Sequence, residues 1–188
     1  MHMKRFIAIA ATLAIVAAGI WFLSRNKPTA AADPNNVYAT YFNPNTEIQR
    51  VKTIIATLES RGLAGIQTDA DTLRQALELY EAARYDESIA LLKSFLGTHP
   101  ENDTAQYYLG VSYMSQEHYA RAIEMLYPLS RSEASSLRND ALWNLGLCYL
   151  KAENAREDAR AAFTELSNDN SYPNHRGAKA LLDQLFPK

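Results

Sequence analysis

Residues 105–114 read Ala105-Gln106-Tyr107-Tyr108-Leu109-Gly110-Val111-Ser112-Tyr113-Met114, and residues 141–150 read Ala141-Leu142-Trp143-Asn144-Leu145-Gly146-Leu147-Cys148-Tyr149-Leu150. Both are aromatic-rich apolar runs built around one glycine. Each is too long for an ordinary buried strand and carries apolar residues at helical spacing. Downstream of the first glycine come Tyr119-Ala120-Arg121-Ala122-Ile123, Leu126 and Leu129. Thirty-four residues upstream of the same landmarks stand Ala76, Leu79, Tyr85-Asp86-Glu87-Ser88-Ile89, Leu92 and Phe95, with Pro100 closing that unit. A third unit has Gly146, Tyr149, Ala159, Phe163 and Leu166, with its glycine thirty-six residues after Gly110. A stride of this length is the signature of a helical repeat array, in which each pair of helices buries its apolar face only by stacking on its neighbours. The small residue in each first helix predicts close approach of the second.

Tyr107-Tyr108-Leu109-Gly110 and Leu142-Trp143-Asn144-Leu145-Gly146 resemble the middle of the first helix of the tetratricopeptide repeat family, and Tyr85-Asp86-Glu87-Ser88-Ile89 resembles its second. The resemblance covers residues 69–171. It departs from the family pattern at Gln75, where leucine is favoured, in the missing proline at the end of the second unit, and in one extra residue between Gly146 and Ala159. The fold it implies is all-α, a right-handed superhelical stack of about three helix pairs at 69–102, 103–136 and 139–171. Pro128 lacks an N–H and its ring opposes the carbonyl of Glu124, so regular helix is expected to stop near Tyr127.

Two further helices flank the repeats. Ile48, Val51, Ile54, Ile55 and Leu58 recur at three and four after a capping Thr46, which predicts an amphipathic helix over 46–61 stopped by Gly62. Its sticky stripe either packs on the repeats as a lid or meets a partner. Ala178, Leu181, Leu182 and Leu185 predict a capping helix over 174–186, covering the last exposed face of the array.

At the other end, after a short basic stretch at 1–5, residues 6–23 form eighteen consecutive uncharged positions with Lys4 and Arg5 before and Arg25 and Lys27 after. As a helix this run is about 27 Å long, close to the ~30 Å of a bilayer's hydrocarbon core. It predicts a transmembrane signal anchor. A cleaved secretory signal is the alternative, since Ala30-Ala31-Ala32 offers a small-residue cleavage pattern, but its apolar core would be unusually long. With the amino terminus in the cytoplasm, the repeats of a bacterial inner-membrane protein would stand in the periplasm. Residues 24–45 contain Pro28, Pro34 and Pro44 without a helical period and read as a linker, although Tyr38, Tyr41 and Phe42 are too apolar for a solvated spacer and offer the stretch a way to lie against the first helices.

Charge and composition exclude several functions. The first 32 residues hold four of the nineteen Lys and Arg and none of the twenty-one Asp and Glu, leaving the remainder with fifteen basic against twenty-one acidic residues, a net charge of −6. No basic cluster follows Lys27, so nucleic acid is not an expected partner. The single cysteine, Cys148, excludes an internal disulfide and lies within a helix as a packing thiol. Histidines at 2, 99, 118 and 175 fall at a terminus, two turns and a helix start. No metal, nucleotide or acyl-transfer motif is present, so neither a cofactor nor catalysis is expected.

The resemblance places the first helices of successive units along a concave groove for a protein partner. That groove is expected to show Leu73, Leu77 and Tyr80 from the first unit, Tyr107, Val111 and Met114 from the second, and Trp143, Leu147 and Leu150 from the third, with the first three as the alternative seat of the helix over 46–61. The family's chaperone-binding members hold a terminal carboxylate there with Lys, Arg and Asn. These positions are apolar here, and suit an extended or helical segment with aromatic and aliphatic anchors. The expected function is a membrane-anchored scaffold or adaptor, with the bilayer held through 6–23. A self-associating structural protein of the envelope, or a secreted repeat protein, are the alternatives.

Overall fold

The computed structural model describes residues 32–61 and 69–187, and residues 32–186 form one compact unit. Three helix pairs make up the repeats: α3 (Asp69–Glu81) with α4 (Tyr85–Thr98), α5 (Asp103–Ser115) with α6 (Tyr119–Arg131), and α7 (Arg138–Lys151) with α8 (Arg156–Asn168). Ahead of them stand α1 (Pro34–Tyr41), a 3-10 turn (Pro44–Glu47) and α2 (Ile48–Arg61), and behind them α9 (His175–Leu185). The described residues contain no strand. Each helix from α3 to α9 packs against the next in chain order, and the first helices of neighbouring pairs also touch, which is the arrangement of a stacked array.

The small residues do what their spacing predicts. A Cβ added to Gly110 would stand 2.8 Å from Leu126 Cγ, and one added to Gly146 would stand 2.8 Å from the Phe163 ring. Hydrogen is therefore the only substituent that lets α6 and α8 lie this close to α5 and α7. In the first pair Ala76 fills the equivalent place, and its carbonyl accepts a buried 2.8 Å hydrogen bond from Ser88 Oγ of α4. Position in the stack explains α5: it has neighbours on every side, so Tyr107, Tyr108, Leu109, Val111 and Met114 are all buried and the helix shows little amphipathic character.

The turns inside the pairs share one backbone device. Ala83, Glu117 and Asn154 each have φ near +58°, at 57°, 59° and 58°. After α3 and α5 the left-handed residue closes the helix with paired bonds, Arg84 N to Leu79 O and Ala83 N to Tyr80 O, then His118 N to Tyr113 O and Glu117 N to Met114 O. These satisfy carbonyls that a helix end would otherwise leave open. Glycine usually takes this place, which is why the turns do not announce themselves in the sequence.

Three local expectations need correction. Helix α6 continues through Pro128 to Arg131. Only the bond from residue 128 to Glu124 is lost, and beyond it Leu129 and Ser130 are buried, so packing holds the last turn in helical form. Thr46 does not cap α2. It lies inside the 3-10 turn, its hydroxyl donates to the Asn43 carbonyl at 2.7 Å, and Asn43 is the cap, its side chain accepting from Asn45 N at 3.0 Å. The stretch expected as linker is helical from Pro34 to Tyr41, capped by Asp33, and packed through Val37 and Tyr38. Proline at the first helical position costs nothing there, because that N–H has no intrahelical acceptor.

Residues 1–5, the apolar run 6–23, residues 24–31 of the expected linker and Gly62 lie outside the described residues. Among the described residues no helix is long and apolar enough to cross a membrane.

Candidate functional site

The first helices α3, α5 and α7 share one face, and the chain's own segment 32–58 crosses it against the order of the repeats. It starts at the far end of the array, where Ala32 N donates to Gln184 O of α9 at 2.8 Å. Over the third pair, Lys151 Nζ donates to Asn35 Oδ1 at 2.8 Å and the Tyr41 ring meets Trp143 edge-on at 5.9 Å. Tyr38 then reaches the second pair: its hydroxyl donates to Met114 O, its ring packs edge-on to Tyr119 at 5.3 Å, and Lys151 Nζ lies 5.4 Å from the ring centroid. At the first pair, Tyr80 donates its hydroxyl proton to Pro44 O at 3.2 Å, and Lys52 pairs with Glu81 at 3.3 Å. Helix α2 lies against α3, with Val51 fully buried and Ile54, Ile55 and Leu58 half-buried.

The residues expected to line an open groove are therefore mostly covered. Leu73, Leu77, Tyr80, Tyr107, Val111, Met114 and Leu147 are buried, and only Trp143 and Leu150 keep partial exposure. Three of them, Tyr107, Val111 and Trp143, come together at one opening. It is a cavity of about 390 Å³ between residues 40–47, α5 and α7, closed on its far side by Tyr172 and Asn174. Carboxylates and rings share its wall.

Arg50, on α2, ties this wall together. Its guanidinium lies 3.3 Å from Glu47 and 2.8 Å from Asp140 of α7, so one cation faces two carboxylates. Burial raises the pKa of Glu47 above the usual carboxylate value, with Arg50 pulling the other way and Asp140 adding to the rise. Asn144 Nδ2 donates to the Tyr107 hydroxyl at 2.9 Å, which leaves the phenol's own proton free to turn toward Glu47. Burial, followed by the charges of Glu47 and Asp140, also pushes Tyr107 far up. Neither phenol nor thiol is activated: burial pushes the Cys148 thiol up as well, opposite to what a nucleophile needs.

The histidines of the described residues lie at helix ends. His99 stacks on Phe95 at 4.5 Å and lies 3.2 Å from Asp69, His118 precedes α6, and His175 lies 2.9 Å from Tyr172 O. Among the described residues no group of three or more His, Cys, Asp or Glu is placed to hold a metal ion.

The family model for the tetratricopeptide repeat matches residues 73–127 and, in a second overlapping placement, 112–173. Together these span more than half of the chain. The chain belongs to the tetratricopeptide repeat family. No curated protein and no solved structure matches it. Tetratricopeptide arrays are protein-interaction scaffolds, typically without catalysis, and a wall of buried phenols and structural ion pairs is in keeping with that. Sequence reasoning did not single out Glu47, Arg50, Asp140 and Tyr172, because they meet only where the segment ahead of the repeats lies against α7; Tyr41 stands, with Tyr38 and Phe42, among the residues too apolar for a solvated spacer. The one available signal was the aromatic content of 38–42 in a stretch otherwise rich in proline and asparagine.

Proposed function

We propose that this tetratricopeptide protein is a membrane-tethered scaffold that holds a segment of a protein partner on the face formed by α3, α5 and α7. The observation that carries the reading is the segment 32–58. It fills that face with Val37, Tyr38, Tyr41 and Val51, side chains of the kind that anchor a bound peptide, and leaves an opening beside Trp143 backed by Tyr107 and Val111. Partner contact is then made at that opening and along the exposed edge of α1. Leu73, Leu77 and Leu147 act as support beneath.

The apolar run 6–23 with its basic flanks supplies the tether. It ends nine residues before Ala32, and confinement at a bilayer raises the effective concentration of a weakly held partner. In a bacterial cell this reading puts the domain on the periplasmic side of the inner membrane. The test is a photo-crosslinking amino acid at position 41 in the full chain, irradiated in native membranes. A discrete heteromeric product, absent when the label stands at exposed Lys93 on α4, is the expected result. Products with the same chain only would favour a self-associating envelope protein, and no product would remove the partner face. Carbonate extraction and protease shaving of spheroplasts check the tether and the side.

A further inference from the structure

The opening between residues 40–47, α5 and α7 has a chemistry that selects its occupant. We propose that it is a pocket for one cationic side chain, an ammonium or guanidinium, presented by the protein partner; this rests on the scaffold reading above and specifies what the scaffold recognises.

Charge comes first. Among the described residues that line the cavity, the acidic side chains are Glu47 and Asp140, and no Lys, Arg or His lines it. They share the single guanidinium of Arg50, so two acidic side chains stand against one cation in a partly enclosed space. An anion is repelled there, and an aliphatic anchor would strip water from the carboxylates without replacing it. A cation answers both costs.

The walls favour the same occupant. Trp143 is held by edge-on contacts on two sides, Tyr41 at 5.9 Å and Phe163 at 5.6 Å, so its indole is fixed before anything binds. Tyr107, held by Asn144, is fully buried and backs the wall, and half-buried Tyr41 is the accessible ring beside Trp143. Aromatic faces beside a carboxylate are what a desolvated ammonium or guanidinium requires, through the ring quadrupole as well as the full charge. The size agrees: about 390 Å³ is at the small end of ligand pockets, suited to one long side chain and not to a helix.

The test uses the full chain in detergent micelles and ligand-observed NMR titrations with two probes, N-acetyl-lysine methylamide and its uncharged counterpart N-acetyl-norleucine methylamide. Saturable binding of the lysine probe, at least tenfold tighter than norleucine, is expected. Trp143→Leu and Asp140→Asn should each weaken the lysine probe about tenfold and narrow its margin over norleucine. Trp143 is half-buried, so the leucine variant keeps the fold if loss of the Arg50 pair unfolds the other; circular dichroism checks both. Equal affinity for the two probes, no saturable binding, or an unchanged lysine affinity in Trp143→Leu overturns the pocket. Because partner cross-linking from position 41 is read separately, a retained cross-link without lysine preference discards the pocket and keeps the scaffold.

Discussion

The Tyr38 hydroxyl donates to the main-chain carbonyl of Met114, 76 residues further along the chain, at 3.4 Å. A residue from outside the repeats thus closes onto the centre of the middle repeat, where Tyr38 is only 9% exposed. The segment ahead of the repeats is part of their core.

Energetics should reflect this. Replacing Tyr38 by Ala removes a ring packed on Phe42 and Tyr119 and is expected to cost about 3 kcal/mol, within the range for buried aromatics. Tyr38→Phe keeps the ring and loses a long hydrogen bond, so about 1 kcal/mol or less is expected. Urea unfolding of the two variants measures the difference.

Glycines at two kinds of site should respond with opposite signs. Gly110→Ala and Gly146→Ala put a methyl 2.8 Å from Leu126 and Phe163, both fully buried and unable to yield. Overpacking of about 1–3 kcal/mol outweighs the gain in helix propensity of roughly 1 kcal/mol, so a net loss is expected. At Gly97 in α4 an added Cβ meets nothing within 4 Å, and Gly97→Ala should stabilise by about 0.5 kcal/mol. Thermal melts of the three variants decide it.

The left-handed turns give a third test. Ala83 at φ 57° occupies a conformation closed to β-branched side chains, and Ala83→Val should destabilise by about 1–2 kcal/mol although residue 83 is exposed. Ala83→Asn, whose side chain tolerates this region, should be neutral or better. Equal melting temperatures for Val and Asn at 83 would show that the turn does not hold this conformation.

Acid should act on Glu47 in an unusual direction. Its pKa is raised in the folded protein above the ordinary 4.5, so the folded state binds this proton more readily than the unfolded one. That contribution to stability therefore grows as pH falls through the folded value, is complete below about 4.5, and is lost as pH rises. Wild type should gain on Glu47→Gln over this window, measured as the difference between their urea midpoints from neutral pH to pH 4.5. A gap that moves the other way would mean the carboxyl is not buried against Tyr107 and Asp140.

How much of this was legible follows from where the information sits. Ala76, Gly110 and Gly146 announce themselves because each repeat must solve the same close approach, so the stride and the helix pairs can be read from spacing. Glu47, Arg50 and Asp140 do not recur, and their meeting depends on how a non-repeated segment lies across the stack. Spacing puts the inner-helix positions on one side of each helix, and α2 lies against α3, the alternative seat the sequence offers; what covers the second and third pairs was not legible, since an aromatic stripe looks the same whether a partner or the chain itself lies over it. Pro128 shows the remaining gap: a local helix-breaking rule gave way to burial of Leu129 and Ser130 beyond it.

The account turns on segment 32–58 lying across its own repeats, and intramolecular cross-linking tests that most directly. Asn35 is exposed, and its Oδ1 accepts from Lys151 Nζ at 2.8 Å, so cysteines at 35 and 151, with Cys148→Ala to remove the native thiol, place two thiols within reach of a short bis-maleimide. Rapid formation of a link within one chain at high dilution is the predicted result. A link formed only between chains, or none while the helical content is intact, would contradict it.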